Sequence, residues 1–551
     1  MSIFENFKHP YSFDPKYAKS IAYFSMEFAI HQPLKTYAGG LGYLAGSHIR
    51  SAFQLNQNVI GIGILWKYGY YDQTRKGDQT MDVLFQEKNY GFLEETNLKF
   101  EISINNSPVK VTAYYLPPNI FNTAPLFFLS TDLPENDYLA KTICHKLYDS
   151  NTEAKIAASI LLGIGGCKLL EILNAQPEIY HLNESHGLPM AFYLYQKYGS
   201  VEEVKKRLVF TNHTPEQAGN WRSDIRLLEK MGFFNGIQPS EIQAITVISD
   251  TIFDHTLACL RMSKITNGVS EMHSKVLREM WKDYPNISSI IHITNAQNRN
   301  YWADDLMYGA LKMDNDKLLL IRKQNLKNVL FEEVADQCGE IYDENIFTIV
   351  WARRFAGYKR ADLLFQDMER FNKLINNLKY PVQIIWAGKP YPTDYEAIPT
   401  FNRIVNVSKT YKNCAVLVGY ELNLSRMLKQ GADLWLNTPR VKHEASGTSG
   451  MTAAMNGAVN LSTNDGWFPE FIQHEVNGFL IHSSDNESLP QHEQDGIDAQ
   501  NMYDTLENII LPMFYDEPEK WLKIQKNSMN DIMLYFDANR MADEYYEKLY
   551  K

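Results

Sequence analysis

Four cations fall within eight residues of the segment WARRFAGYKRADLL (351–364): Arg353, Arg354, Lys359 and Arg360. They follow an apolar run, FTIVWA (347–352), so they stand at a strand's carboxyl end, where Arg offers a two-pronged fork and Lys a point charge to phosphate oxygens. A solvated basic turn is the plain alternative, but the position favours anion binding. A second segment, HEASGTSGMTAAMNGA (443–458), reads as a small-residue loop opening a helix. Glu444 can accept hydrogen bonds from a hydroxylated ligand, and Ser446, Gly447, Thr448, Ser449 and Gly450 offer hydroxyls and amides to phosphate or sugar. An ordinary capped helix does not account for that run of small residues.

In YAGGLGYLAG (37–46), Gly39 and Gly40 precede a helix-like stretch and could bring backbone amides and a helix N-terminus to an anion. The spacing satisfies neither the dinucleotide fingerprint nor the P-loop, and taken alone a tight turn is the better account of it than a phosphate site. YHLNESHG (180–187) and LVFTNHTPEQAG (208–219) each follow a strand-like run with a histidine, His186 and His213, and ITNAQNRNYW (293–302) ends one with Asn295. A lone histidine is more often structural than catalytic, so these are suggestive only.

The elements that position these groups are short apolar runs alternating with helical periodicity. In the first half the strand-like runs are 21–28, 58–66, 109–116, 126–130, 178–183, 208–214, 244–249 and 291–296, with a long helix expected over 153–175. The second half repeats the rhythm at 347–352, 382–388, 415–419, 432–437 and 458–462. Near-continuous hydrophobic runs are typical of buried parallel strands. Two such series imply α/β architecture, with two doubly wound domains facing across a cleft and ligands beyond the strands' carboxyl ends. Residues 1–300 form the expected first domain, 301–527 the second after a helical stretch over 301–345, and a terminal helix from about 528 to 551 is expected to return to the first.

The 551 residues, 45% hydrophobic and 22% charged, can bury large cores and exclude a single small module or global disorder. A net charge of -11 argues against nucleic-acid binding. No apolar stretch is long enough for a membrane span and no signal peptide is read at the start. Cys144, Cys167, Cys259, Cys338 and Cys414 are isolated, which speaks against a disulfide framework or zinc and for a cytoplasmic location.

Taken in order, YAGGLG, GIGILWKYGYYDQ, LSTDLPEND, YHLNESH, FTNHTPE, HSKVL, ARRFAGYKR, ADLWLNTP, EASGTSGM, MNGAVNLS and DGWFPE resemble the α-glucan phosphorylase family in its short branch, a group of retaining glycosyltransferases of GT-B fold. The resemblance covers nearly the whole chain. It implies that Arg354 and Lys359, five residues apart, bind phosphate, and that the Gly39-Gly40-Leu41 turn approaches the reacting phosphate and sugar. It further implies that His213 and Asn295 address the sugar, and that Glu444, Ser446, Gly447 and Tyr420 complete the sugar shell. Thr448 and Ser449 would meet a second phosphate, His213, Arg354, Lys359 and Glu444 being the catalytic set.

Two departures stand out. Where the family carries the lysine that forms an imine with pyridoxal phosphate, eight residues after the glutamate, this chain has Thr452. A hydroxyl forms no imine, so no cofactor is expected, and no metal need be invoked. Ala296 replaces the family's usual glycine and is expected to tighten the sugar pocket. The leading expectation is hexosyl transfer, in particular glucosyl transfer, from a phosphate-activated donor such as a nucleotide sugar to a hydroxylated acceptor. A glucan phosphorylase binding its cofactor without an imine, and an inactive carbohydrate-binding relative, are the alternatives. A homodimer is the assembly the resemblance suggests.

Overall fold

The computed structural model describes residues 2–248, 251–484 and 489–551. The chain divides into two compact units: Met1–Tyr71 with Phe85–Asn298 and Ala538–Lys551, and Asp72–Leu84 with Arg299–Asp537.

The first unit is built on a nine-stranded sheet of β1 (Ile21–Ser25), β2 (Val59–Ile64), β3 (Glu94–Ile104), β4 (Ser107–Leu116), β5 (Leu126–Ser130), β6 (Ile179–Asn183), β7 (Leu208–Thr211), β8 (Ile265–Gly268) and β9 (Ser289–His292). Their spatial order is β9-β8-β7-β6-β1-β2-β5-β4-β3. Seven strands are parallel, and β4 and β3 add an antiparallel edge. Strand order reverses between β1, which pairs Ile21 with Val59 of β2, and β6, which pairs Ile179 with Ile21. The helix Gly40–Gln54 and the C-terminal segment cover this region through Leu44, Ile49, Met541 and Tyr545, packed with Tyr23.

The second unit carries six parallel strands: β10 (Phe347–Ala352), β11 (Val382–Ala387), β12 (Cys414–Leu417), β13 (Leu434–Asn437), β14 (Val459–Thr463) and β15 (Gly478–Ile481). The order β12-β11-β10-β13-β14-β15 is the dinucleotide-fold order 3-2-1-4-5-6, with its reversal between β10 and β13. Adjacent residues of β10 point into different cores: Ile349 packs with Trp386, Phe401 and Tyr503, whereas Val350 packs with Leu330, Leu428 and Trp435. Both sheet faces are therefore covered, which explains the near-continuous apolar runs.

Several expectations differ from the structure. The run 244–249 is not a strand: Ala244 to Thr246 end the helix Pro239–Thr246, which Pro239 opens at its first turn, and Val247 is left-handed, while Ser249 lies outside the described residues. Three strands of these two sheets lie outside the expected runs: β3, β15, and β8, whose ITNG sequence lacks a hydrophobic run. Residues 72–84, inside the stretch read as the first domain, form a hairpin (Asp72–Arg75 with Met81–Leu84) that belongs to the second unit. The helix Pro518–Tyr535 also belongs to the second unit, so the returning segment begins at Ala538 rather than near 528. Among the described residues, no helix is long and apolar enough to cross a membrane.

Candidate functional site

His213 follows β7, Asn295 the edge strand β9 and Tyr420 the edge strand β12, whereas other candidate residues lie beyond the carboxyl ends of the strands flanking each reversal point, where neighbouring connections leave to opposite faces and open a crevice. In the second unit these are the loops after β10 and β13. Glu444 Oε2 accepts from Arg353 Nη2 at 2.7 Å and from Lys359 Nζ at 2.8 Å, all three side chains being buried. Burial works against the Glu444 carboxylate, but Lys359 and Arg353 outweigh it and hold its pKa down to about 2. Burial, followed by repulsion from Arg353, lowers Lys359 to about 7 against the pull of Glu444. Two cations share one carboxylate, so the cluster is short of negative charge.

Arg353 Nε and Nη1 are buried with no hydrogen-bond partner, as are the hydroxyls of Ser446 and Ser449. Buried polar groups in that state mark a place where a ligand or water belongs. Gly447 turns the chain at φ 83°, and a Cβ there would stand 3.1 Å from Arg353 Nη2, so glycine is what lets the loop close on the guanidinium. The loop is held from behind by Asp465, whose Oδ2 accepts from the amides of His443 (3.1 Å) and Glu444 (2.8 Å). Burial chiefly raises Asp465 to about 7.

Other expected ligands fall differently. Arg354 is exposed, and its charge acts on Glu444 and Tyr358. Arg360 turns away from the cluster, pairing with Asp495 and Asp498. Tyr420 donates its hydroxyl to the Ala352 carbonyl at 3.3 Å and accepts from Ser425. Thr448 precedes the short helix Ser449–Ala454, and Gly450 packs so closely that a Cβ would lie 2.6 Å from Asn460 Oδ1; its small size serves helix-to-sheet packing. Thr452 is buried and its hydroxyl bonds back to the Ser449 carbonyl at 3.0 Å. The side chain at this position therefore does not fit an imine-linked pyridoxal phosphate.

In the first unit, Gly39 precedes the helix Gly40–Gln54, so Gly40 and Leu41 lie in a first turn whose amides have no acceptor within the helix. The Gly39 amide, expected to face phosphate, donates instead to Glu27 Oε2 at 3.0 Å, beside Ala38 at 2.7 Å, while Tyr148 donates to Oε1 at 2.6 Å. Glu27 had drawn no attention in the sequence, although it lies just past β1.

His213 Nε2 bonds Asn183 Oδ1 at 2.7 Å, and its amide donates to Glu184 Oε2 at 2.8 Å. Burial, then the neighbouring His273 and His186, lower His213 to about 3, so the ring is neutral. With Nε2 donating to an amide oxygen, Nδ1 is left as an acceptor. Glu184, missed in the sequence, has φ 69° and ψ 170°, a region costly for a non-glycine residue, and its buried carboxylate also accepts from Ser185 and Thr214. The strand-end position of NES was the signal that could have found it. Asn295 Oδ1 is buried without a partner among the described residues, whereas Ala296 is fully buried in the hydrophobic core.

A parallel α/β chain with a buried cation–carboxylate cluster beyond a reversal point has the makings of an enzyme that handles an anionic, hydroxylated ligand. The carbohydrate phosphorylase family model matches residues 310–548. An uncharacterized protein of Methanocaldococcus jannaschii is 46% identical, covering 97% of this chain and 100% of its own length. A maltodextrin phosphorylase of Thermococcus litoralis is 34% identical over 97% of this chain and 71% of its own, and a glycogen phosphorylase of Aquifex aeolicus is 29% identical over 100% and 89%. The chain belongs to the carbohydrate phosphorylase family of glycosyltransferases.

Proposed function

We propose that the protein transfers a hexosyl group, in particular glucosyl, with retention from a phosphate-activated donor, in particular a nucleotide sugar, to a hydroxylated acceptor, without pyridoxal phosphate. The observation that carries this reading is the Arg353–Glu444–Lys359 cluster, with two buried cations on one carboxylate and unpartnered donors on Arg353. Such a cluster suits the charge that develops on a departing phosphate. Thr452 favours a donor that brings its own second phosphate. Arg354 and Lys359 bind the leaving phosphate, and Glu444 orients sugar hydroxyls while keeping the cations aligned. Within the first unit, the neutral His213 ring and the Asn295 amide oxygen offer hydrogen-bond acceptors to hydroxyl groups rather than move a proton. The departing phosphate takes the acceptor's proton on the same face, so no protein nucleophile is required.

A thermal-shift screen of nucleotides and nucleotide sugars, with the absorbance spectrum of the purified protein, tests the reading. Stabilisation by one nucleoside diphosphate and no pyridoxal chromophore are expected. Arg354→Ala lowers transfer on the order of 10² to 10³-fold, as loss of one electrostatic donor does. Retained activity would overturn the assignment. The maltodextrin and glycogen phosphorylases among the relatives support a second reading, phosphorolysis of α-glucan. It requires glucose 1-phosphate release from maltodextrin and phosphate on addition of pyridoxal phosphate.

A further inference from the structure

Arg360 belongs to the basic segment by sequence, yet its guanidinium is engaged by four protein acceptors. Its side chain is almost fully buried. Nε donates to the Thr438 carbonyl at 2.8 Å and Nη2 to the Pro439 carbonyl at 3.1 Å. Nη1 meets Asp495 at 2.8 Å and Nη2 meets Asp498 at 2.6 Å, both carboxylates lying on the helix Gln491–Thr505. Thr438 answers in the opposite direction: its hydroxyl donates to the carbonyls of Lys359 (2.9 Å) and Arg360 (3.1 Å) while accepting from the Trp351 indole at 3.0 Å. The loop after β10 and the loop after β13 are thus laced together at this residue.

The backbone agrees with the side chain. Arg360 stands at φ 49°, ψ 59°, left-handed for a residue with a Cβ, and its amide closes on the Gly357 carbonyl to end the turn Gly357–Lys359. Such a conformation persists only where surrounding contacts enforce it. Ending the turn there fixes the direction in which the preceding residue, Lys359, leaves the chain towards Glu444.

We propose that Arg360 is a positioning residue: by joining the cation loop to the carboxylate loop and anchoring both to the helix Gln491–Thr505, it holds Lys359 against Glu444. The functional weight of this rests on the reading of Lys359 and Glu444 as donor-binding groups. Lysine cannot replace it, because a single ammonium cannot span two carbonyls and two carboxylates as the planar fork does. Arg440 supplies the control. It grips the same Asp495 through Nε (3.1 Å) and Nη2 (2.7 Å), and among the described residues its side chain bridges no loop carbonyl.

The test is the rate at which Lys359 is acetylated by acetic anhydride, read by peptide mass spectrometry on the full chain, in wild type, Arg360→Lys and Arg440→Gln. Arg360→Lys is expected to speed labelling of Lys359 about tenfold and, where transfer is measured, to lower kcat about 100-fold, the order expected when a reacting group is misplaced. Arg440→Gln keeps Lys359 labelling within twofold of wild type. Unchanged labelling in Arg360→Lys overturns the proposal, and so does equal exposure in both variants, which would mean general loosening. An absence of any transfer activity in the wild type would strike the functional reading alone, since the labelling ratio is independent of turnover.

Discussion

At the scale of single residues, the Glu444 carboxylate is the most consequential group in the second unit, because two buried cations depend on it. Replacing it by an amide leaves Arg353 and Lys359 facing one another with no counter-charge, and breaking a buried ion pair from one side costs about 3–5 kcal/mol. Glu444→Gln is therefore expected to lower the melting temperature markedly, and Arg354→Ala, at an exposed residue, to change it little. Calorimetry of the two variants checks this; equal melting temperatures would mean that the cluster does not hold the loop. The types and spacing of Arg353, Lys359 and Glu444 were legible in the sequence. Their pairing was not, because a contact between residues 353 and 444 depends on two loops meeting at a strand reversal. The same limit hid Glu27 and Glu184, whose partners lie far along the chain in Tyr148 and His213.

At the scale of elements, strands buried on both faces announced themselves. VQIIWA and FTIVWA are nearly continuous apolar runs, broken only by the hydrogen-bonded Gln383 and Thr348, because β11 and β10 are covered on both sides. Elements whose residues do not carry that pattern were obscure: β8 reads ITNG, and β15 has only four residues. The hairpin Asp72–Arg75 with Met81–Leu84 was the hardest to foresee, since DQTR has no apolar residue and its place is set by a few specific bonds. Gln73 makes two of them, donating to the Gly388 carbonyl at 2.9 Å and accepting from the Gly419 amide at 3.0 Å, so one side chain braces the loops after β11 and β12. Arg75 makes another, to the Val416 carbonyl. Gln73→Ala leaves both braced backbone groups without their partner, a loss of about 1–3 kcal/mol for each that stays buried. Chemical denaturation is expected to show a lower midpoint with an unchanged slope, and faster amide exchange at Gly419; an unaltered midpoint would show that the hairpin is not a brace.

At the scale of the whole molecule, the two units differ in how they hold their histidines. In the first unit burial pushes His9, His186 and His273 down to about 4, His48, His213 and His255 to about 3, and His181 well below its ordinary value. In the second unit, His474 is the described histidine with a clear shift, also downward through burial, and it is only partly buried. A histidine whose folded pKa is depressed binds its proton more readily when unfolded, so it contributes stability above about pH 6.5 that is lost as the pH falls towards the folded value. Each such group steepens the loss by up to about 1.4 kcal/mol per pH unit while its unfolded form is protonated and its folded form is not. These seven groups and His145, which burial also lowers, make the first unit the acid-sensitive one. Between about pH 6 and pH 4, hydrogen exchange corrected for intrinsic rates is expected to rise first in β1, β6 and β7, around His48, His181 and His213, while β10, β11 and β13 remain protected. A transition that opens both units at the same pH, or the second unit first, would show that the buried histidines do not govern the acid limit of the fold.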